Sequence, residues 1–295
     1  EEAAEAGVEE FIFVTGRNKT AIEDHFDHSF ELEETLAAKG KDEALHLVKD
    51  MLHTPGSVFY VRQQQPAGLG HAVWCARHLV GSEPVAVLLA DDLILGASCV
   101  KEMVDAYKAG NMVALMDVPH EQTGSYGIVT PGADNGRIVQ VEGLVEKPNP
   151  SSAPSNIAVV GRYIITPEVF ETLAAQERGA GGEIQLTDAL AKQIGKAPFS
   201  GVRFSGERFD CGSKLGFLQA NVAFGLNNET MRDQLRDWLG ERLGSLGEAT
   251  QGAKLALDDA GLLPMPKRIL GFEPSEKSYE TYLLRLIVMA SIALD

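Results

Sequence analysis

The chain has 295 residues, 44% of them hydrophobic, and a formal net charge of −16. That length suits one large α/β domain or two smaller ones. The acidity argues against a general nucleic-acid or anionic-membrane surface, but not against a small phosphate ligand held by local groups. Cys75, Cys99 and Cys211 are odd in number and far apart, which argues against a disulfide framework and zinc spacing and fits a reducing cytoplasm.

In chain order, Glu1–Gly7 reads as the end of a helix, and Glu1-Glu2-Ala3-Ala4-Glu5 is not the start of a secretory leader. Phe11–Thr15 is a strand, followed by the loop Gly16-Arg17-Asn18 and helical spacing over Ala21–Phe30, Glu31–Ala38 and Glu43–Leu52. Val58–Val61 is a second strand. The loop Gln63–Gly68 leads to a helix near Gly70–Leu79, and the apolar run Val85–Ala90 ends on Asp91-Asp92. A helix over Val100–Ala109 and a strand over Met112–Met116 continue the alternation, which predicts a mostly parallel sheet with helices on both faces. Beyond it, Tyr126–Thr130, Ile138–Glu142, Ala158–Ile165 and Phe199–Phe204 are strand-like. Helices near Pro167–Gln176 and Leu186–Ile194 lie among them. Their loops, Pro131-Gly132, Asp134-Asn135-Gly136 and Pro148–Ser152, are rich in turn residues. This half is expected to form a second layer over the carboxyl ends of the first sheet. Leu215–Leu226 and Thr230–Leu243 are helices, and from Gly244 the pattern loosens, with Pro264, Pro266 and Pro274 excluding long helices. Tyr282–Ala290 is apolar but holds Arg285 and falls short of the roughly 20 residues that span a bilayer, so a docking or partner-contact helix is expected there.

Four segments bear on chemistry. Ligands of open α/β sheets bind at the carboxyl ends of strands, where Asp91 and Asp92 stand. Two adjacent carboxylates repel, and a divalent cation such as Mg²⁺ neutralises them; the competing reading is a turn at Asp92 with Asp91 capping backbone N–H groups. Gln63–Gly70 joins strand to helix. Its glycines admit close backbone approach and its amide side chain can read a base edge, or it is an ordinary tight loop that lacks the third glycine of a dinucleotide fingerprint. Glu146-Lys147 precedes a Pro-rich loop. Neighbours on an extended chain face opposite ways, so each residue would meet a different part of one ligand, or both stand on a solvated turn. Asp210, before Cys211-Gly212-Ser213-Lys214, is either a helix cap or a second metal ligand. Gly179–Asp188 enters a helix and suits a structural or sugar-contacting role.

Taken in order, these segments are specific. Gln63–Gly70, Leu88–Asp92, Ser125-Tyr126-Gly127-Ile128-Val129, Val145-Glu146-Lys147-Pro148, Ala153–Asn156, Val160-Gly161-Arg162-Tyr163, Gly182–Asp188 and Asp210–Lys214 together closely resemble the bacterial UTP–glucose-1-phosphate uridylyltransferases (UDP-glucose pyrophosphorylases). The opening Val14-Thr15-Gly16-Arg17 and Glu23–Asp27 agree, and the resemblance covers residues 1–243. It implies an α/β, Rossmann-like nucleotidyltransferase fold with a mixed, mostly parallel central sheet. It implies the conversion of UTP and glucose 1-phosphate to UDP-glucose and pyrophosphate with Mg²⁺, by a cytoplasmic homo-oligomer, a dimer or tetramer. By motif, Gln63 and Gly68 would contact the uracil and nearby sugar, and Asp91 and Asp210 would hold the metal. Gly127 and Glu146 would bind glucose, and Lys147 its phosphate.

The sequence departs from that pattern at two places. The family opens with a strand and a Gly-x-Gly-Thr-Arg loop that wraps the triphosphate, whereas this sequence starts along the helix that follows. Residues 244–295 carry no recognisable motif; Lys267 and Arg268 could stand in for the basic groups of that loop, and the segment is expected to fill the sheet position, dock or mediate assembly. Ala90 also stands where the family has proline. Two rival readings are a non-catalytic UDP-sugar binding module and a nucleotidyltransferase for another base or sugar, such as thymidine or galactose.

Overall fold

The computed structural model describes residues 1–245 and 287–291. These fall into two compact units, residues 1–208 with 287–291, and residues 209–245. Lys267, Arg268 and the three tail prolines lie outside the described residues.

The first unit contains α1 (Glu2–Glu5), β1 (Glu10–Thr15), α2 (Thr20–His25), α3 (Phe30–Ala38), α4 (Asp42–Asp50), β2 (Val58–Arg62), α5 (Leu69–Cys75), β3 (Val85–Leu89) and β4 (Asp92–Leu95). It continues with α6 (Cys99–Ala106), β5 (Asn111–Asp117), β6 (Gly127–Asp134), β7 (Ile138–Glu146), β8 (Ile157–Ile165), α7 (Pro167–Leu173), α8 (Leu186–Ala191) and β9 (Phe199–Arg203). The chain then passes through β10 (Glu207–Asp210) and, in the second unit, α9 (Lys214–Asn227) and a helix over 232–245. The tail supplies β11 (Ile287–Ser291).

Among the described residues a nine-stranded sheet runs in the order β2-β1-β11-β3-β8-β5-β9-β7-β6. It is mixed. β2, β1, β3, β5, β9 and β6 share one direction, and β11, β8 and β7 run against them. Direction is therefore mostly shared, yet of the neighbouring strands only β1–β2 and β5–β9 pair in parallel.

The period-2 alternation of side chains divides the core. Ile12, Val14, Val85, Val87, Val113 and Leu115 point to one face, where Val73 of α5, Phe170 of α7 and Leu190 of α8 cover them. Phe11, Phe13, Ala86, Leu88, Met112 and Ala114 point to the other, under Ala3 of α1 and Met103 of α6. Burial on both faces is why these strands read as continuous apolar runs.

Three expectations change. The middle of the chain is not a second layer: β6, β7, β8 and β9 join the same sheet as β1–β3. β6 runs on through Pro131-Gly132, which reads as a loop. It does so because β6 is the last strand in the sheet order and register shifts flank Pro131, the two settings in which a strand tolerates proline. Residues 287–291 form a strand rather than a helix, and 282–286 lie outside the described residues. β11 lies antiparallel between β1 and β3, pairing Val288 with Phe13 and with Leu88. Between two strands, its backbone N–H and C=O groups find partners on both sides.

Candidate active site

β3 ends at Leu89, and Ala90 and Asp91 turn the chain into β4, which opens with Asp92. Asp92 is 5% exposed. Its Oδ2 accepts the Gly161 N–H at 2.8 Å, and its Oδ1 accepts Arg208 Nε–H at 2.7 Å, with Arg208 Nη2 also in contact. Burial pushes the Asp92 carboxyl above its ordinary value, while Arg208, Arg162 and the Gly161 amide pull the other way. The repulsion argument for a cation therefore fails for Asp92, since Arg208 already neutralises it. The turn falls on Ala90 and Asp91, so Asp92 does not start a turn but opens β4, and Asp91 is the half-buried carboxylate of the pair.

Three residues that sequence reasoning left without a role build this corner. A Cβ on Gly161 would stand 2.2 Å from Asp92 Oδ2 and 2.8 Å from the Leu89 Cβ, so only glycine lets the carboxylate dock on the β8 backbone. Arg162, 4% exposed, spends all five guanidinium N–H groups: on Glu2, on the carbonyls of Leu89 and Gly161, and on the carbonyl of Asp92 at 2.7 Å. It thus holds the backbone on both sides of Asp91. Arg208 extends from Asp92 to the Tyr126 hydroxyl at 3.3 Å and lies 5.4 Å from that ring's centroid. One signal was visible beforehand: Arg162 is a lone charge in the apolar run Ile157–Ile165, and a buried cation must be paired.

Tyr126 leads to the second group. β6 begins at Gly127, whose partner in register is Glu146 at the end of β7. Gly127 also pairs with Val159, two residues along β8 from Gly161. Thr187, at the start of α8, donates to Glu146 Oε2 at 2.8 Å. A side chain at Gly127 would crowd Thr187 Cγ2 at 3.0 Å and Glu146 Oε2 at 3.2 Å. Lys147 then leaves the strand in the left-handed region (φ 45°), with its N–H on the Tyr126 carbonyl at 2.9 Å. A lysine held there is strained, and such strain persists where the surroundings fix it. Strand alternation therefore stops at Glu146, and the opposite-faces argument does not extend to Lys147. The structure brings Gly127, Glu146 and Lys147 together.

Gln63 follows β2, with its N–H on the Thr15 carbonyl. Its Nε2 donates to the Gly68 carbonyl at 3.1 Å, so these two residues are also joined. Gly68 (φ 114°) has no room for a side chain: a Cβ would lie 2.7 Å from the Ile184 carbonyl oxygen. The loop is zipped to residue 184 through Ile184 N–H to Ala67 O and Gly70 N–H to Ile184 O, both 2.8 Å.

Asp210 belongs to the second unit. There its Oδ1 accepts the Gly212 N–H at 2.9 Å, closing a turn, and the N-cap of α9 is Ser213, whose Oγ accepts the Gly216 N–H. The helix-cap reading of Asp210 is thereby replaced by a turn cap one step earlier.

Among the described residues no three His, Cys, Asp or Glu side chains gather as a metal cluster. A Mg²⁺ ion keeps waters of its own and takes one or two carboxylates together with substrate phosphates. Asp91, a hard oxygen donor at a strand end, fits such an ion. Among the described residues no helix is long and apolar enough to cross a membrane.

The profile of the nucleotidyl transferase family matches residues 1–225. The UTP–glucose-1-phosphate uridylyltransferase of Komagataeibacter xylinus is 47% identical over 242 residues, 81% of this chain and 83% of that one. That of Bacillus subtilis (strain 168) is 47% identical over 238 residues, 80% and 81% of the two chains. Among solved structures, UTP-bound UGPase from Acinetobacter baumannii is similar with a TM-score of 0.74 at 38% identity, covering 81% of this chain and 85% of its own. A UDP-glucose pyrophosphorylase complexed with UDP-glucose gives 0.69 at 38% identity, covering 77% and 84%. With matches of this extent over a site so assembled, the chain belongs to the nucleotidyl transferase family, among its UTP–glucose-1-phosphate uridylyltransferases.

Proposed function

We propose that this chain transfers the uridylyl group of UTP to glucose 1-phosphate. A phosphate oxygen of the sugar phosphate attacks the α-phosphorus in line, the bond from that phosphorus to the β-phosphate oxygen breaks, and UDP-glucose and pyrophosphate form. The observation that carries the reading is the Gly127–Glu146 pair, roofed by Thr187 and followed by the left-handed Lys147. It offers a carboxylate for sugar hydroxyls, kept clear on one side by the glycine beside it, and an exposed ammonium one residue away for a phosphate. Gln63 and Gly68 receive the base. Asp91, with Asp210, would hold Mg²⁺, which supplies charge neutralisation at the transferring phosphoryl group when bound. No strong general base is required, since a sugar phosphate is already an anion and the barrier falls mainly through positioning and electrostatics. A cytoplasmic homo-oligomer is part of the same proposal.

The test is pyrophosphate release from UTP, glucose 1-phosphate and Mg²⁺, omitting each in turn. Release that needs all three supports the reading. Binding of UDP-glucose without any release would make the chain a UDP-sugar binding module instead. Within the active protein, Lys147→Ala is expected to raise the KM for glucose 1-phosphate about tenfold or more while leaving that for UTP near its starting value, as for one lost charge-assisted contact. An unchanged dependence on glucose 1-phosphate would remove Lys147 from the phosphate site.

A further inference from the structure

The Gln63 side chain is wired on one side only. Its Nε2 lies 3.1 Å from the Gly68 carbonyl oxygen and 3.0 Å from Nδ1 of His71, on the first turn of α5. A backbone carbonyl can only accept, so the amide nitrogen, not the oxygen, must face Gly68. Both amide protons are then used if Nδ1 of His71 also accepts, which places the imidazole proton on Nε2. Burial, and Arg178 nearby, hold the His71 imidazolium below its usual range, in keeping with a neutral ring. The other neighbour of Nδ1 is Cys75 Sγ at 3.9 Å, a weak donor that also needs an acceptor there. Among the described residues nothing donates to Gln63 Oε1, and the side chain is only half-buried.

We infer that His71 is a positioning residue for base selection: it locks the Gln63 amide with Oε1 outward, so that the loop accepts a pyrimidine bearing an N3–H and disfavours one whose N3 is a lone pair. Uracil carries that proton and cytosine does not. A freely turning amide would present its NH₂ to cytosine equally well and lose the distinction. Gly68 selects which end of the amide faces the loop through one amide proton, and His71, by taking the other, adds the second tie that keeps the amide from turning. The inference rests on the proposed contact between Gln63 and the base.

The test compares pyrophosphate release from UTP and from CTP, with glucose 1-phosphate and Mg²⁺, together with calorimetric affinities for UDP and CDP. His71→Phe keeps a ring but removes the acceptor, and is expected to reduce the preference for UTP over CTP about tenfold or more through loss of one fixed hydrogen bond. His71→Asn, whose Oδ1 can stand where Nδ1 stands, is expected to keep the preference. A wild-type preference in His71→Phe, with the UTP KM raised in Gln63→Ala, would overturn the positioning role and leave the base site standing. No change in UTP handling in Gln63→Ala would overturn the base contact itself, and this inference with it. Should His71→Phe fail to fold, His71→Leu removes the same acceptor and is scored identically.

Discussion

Asp91→Asn is expected to cut pyrophosphate release about a thousandfold, the scale on which preorganised charge at a transferring group contributes. The substitution keeps the size and the hydrogen-bonding oxygen of the side chain but removes the hard anionic donor that Mg²⁺ selects. The fold should be little disturbed, because the turn is held from elsewhere: Arg162 grips the carbonyls of Leu89 and Asp92, and Gly161 and Arg208 grip the Asp92 carboxylate. Thermal melting near the wild-type temperature, with turnover lost at every Mg²⁺ concentration, is the expected pair of results. Asp210→Asn makes the matching test, since an amide oxygen still accepts the Gly212 N–H while the charge is gone. Full turnover in either variant would remove that residue from the metal site.

Residues 1–208 were legible where periodicity was strong. Phe11–Thr15, Val85–Leu89 and Ala158–Ile165 read as buried strands because both faces of the sheet are covered, and apolar runs of that length have few other uses. What could not be read was which strands neighbour one another. Placing the middle strands in a second layer followed from a real change in loop composition, but turn-rich loops also serve antiparallel hairpins such as β6–β7. Asp91 was noticed for its neighbour's charge, and the structure gives that charge to Arg208, 116 residues away. Glu2 lies 160 residues from the Arg162 it neutralises. Nothing local encodes either pairing. Motif order could point to Gln63, Gly127, Glu146 and Lys147, because ligand-facing residues cluster in short segments. Of the groups that hold these residues and the Asp91-Asp92 corner, Arg162 stands out as a lone charge in an apolar run, whereas the roles of His71, Gly161, Thr187 and Arg208 become visible only when the chain is folded.

The Asp92–Arg208 pair leads to the largest expected loss of stability. Arg208→Met is a change of similar length that leaves Asp92 buried at 5% exposure with only the Gly161 N–H on its carboxylate and Arg162 nearby. Removing one partner of a buried pair costs about 3–5 kcal/mol, because the remaining charge keeps its desolvation penalty without compensation. The cost must depend on pH, in a direction the carboxyl fixes. Burial already raises Asp92 in the folded protein, and losing Arg208 raises it further. A folded-state pKa above the unfolded one means the folded state binds more protons in between, so stability falls as pH rises through that interval. The penalty of Arg208→Met should therefore be smaller near about pH 5 than near about pH 8, where the lone carboxylate is forced to ionise. Asp92→Asn in the same chain should recover part of the loss at the higher pH, since the amide carries no charge to strand. Denaturant midpoints of the two variants and the wild type at both pH values decide the matter. An equal penalty at both, with no recovery by Asp92→Asn, would mean that Arg208 stabilises the corner through its packing on Tyr126 rather than through the Asp92 charge.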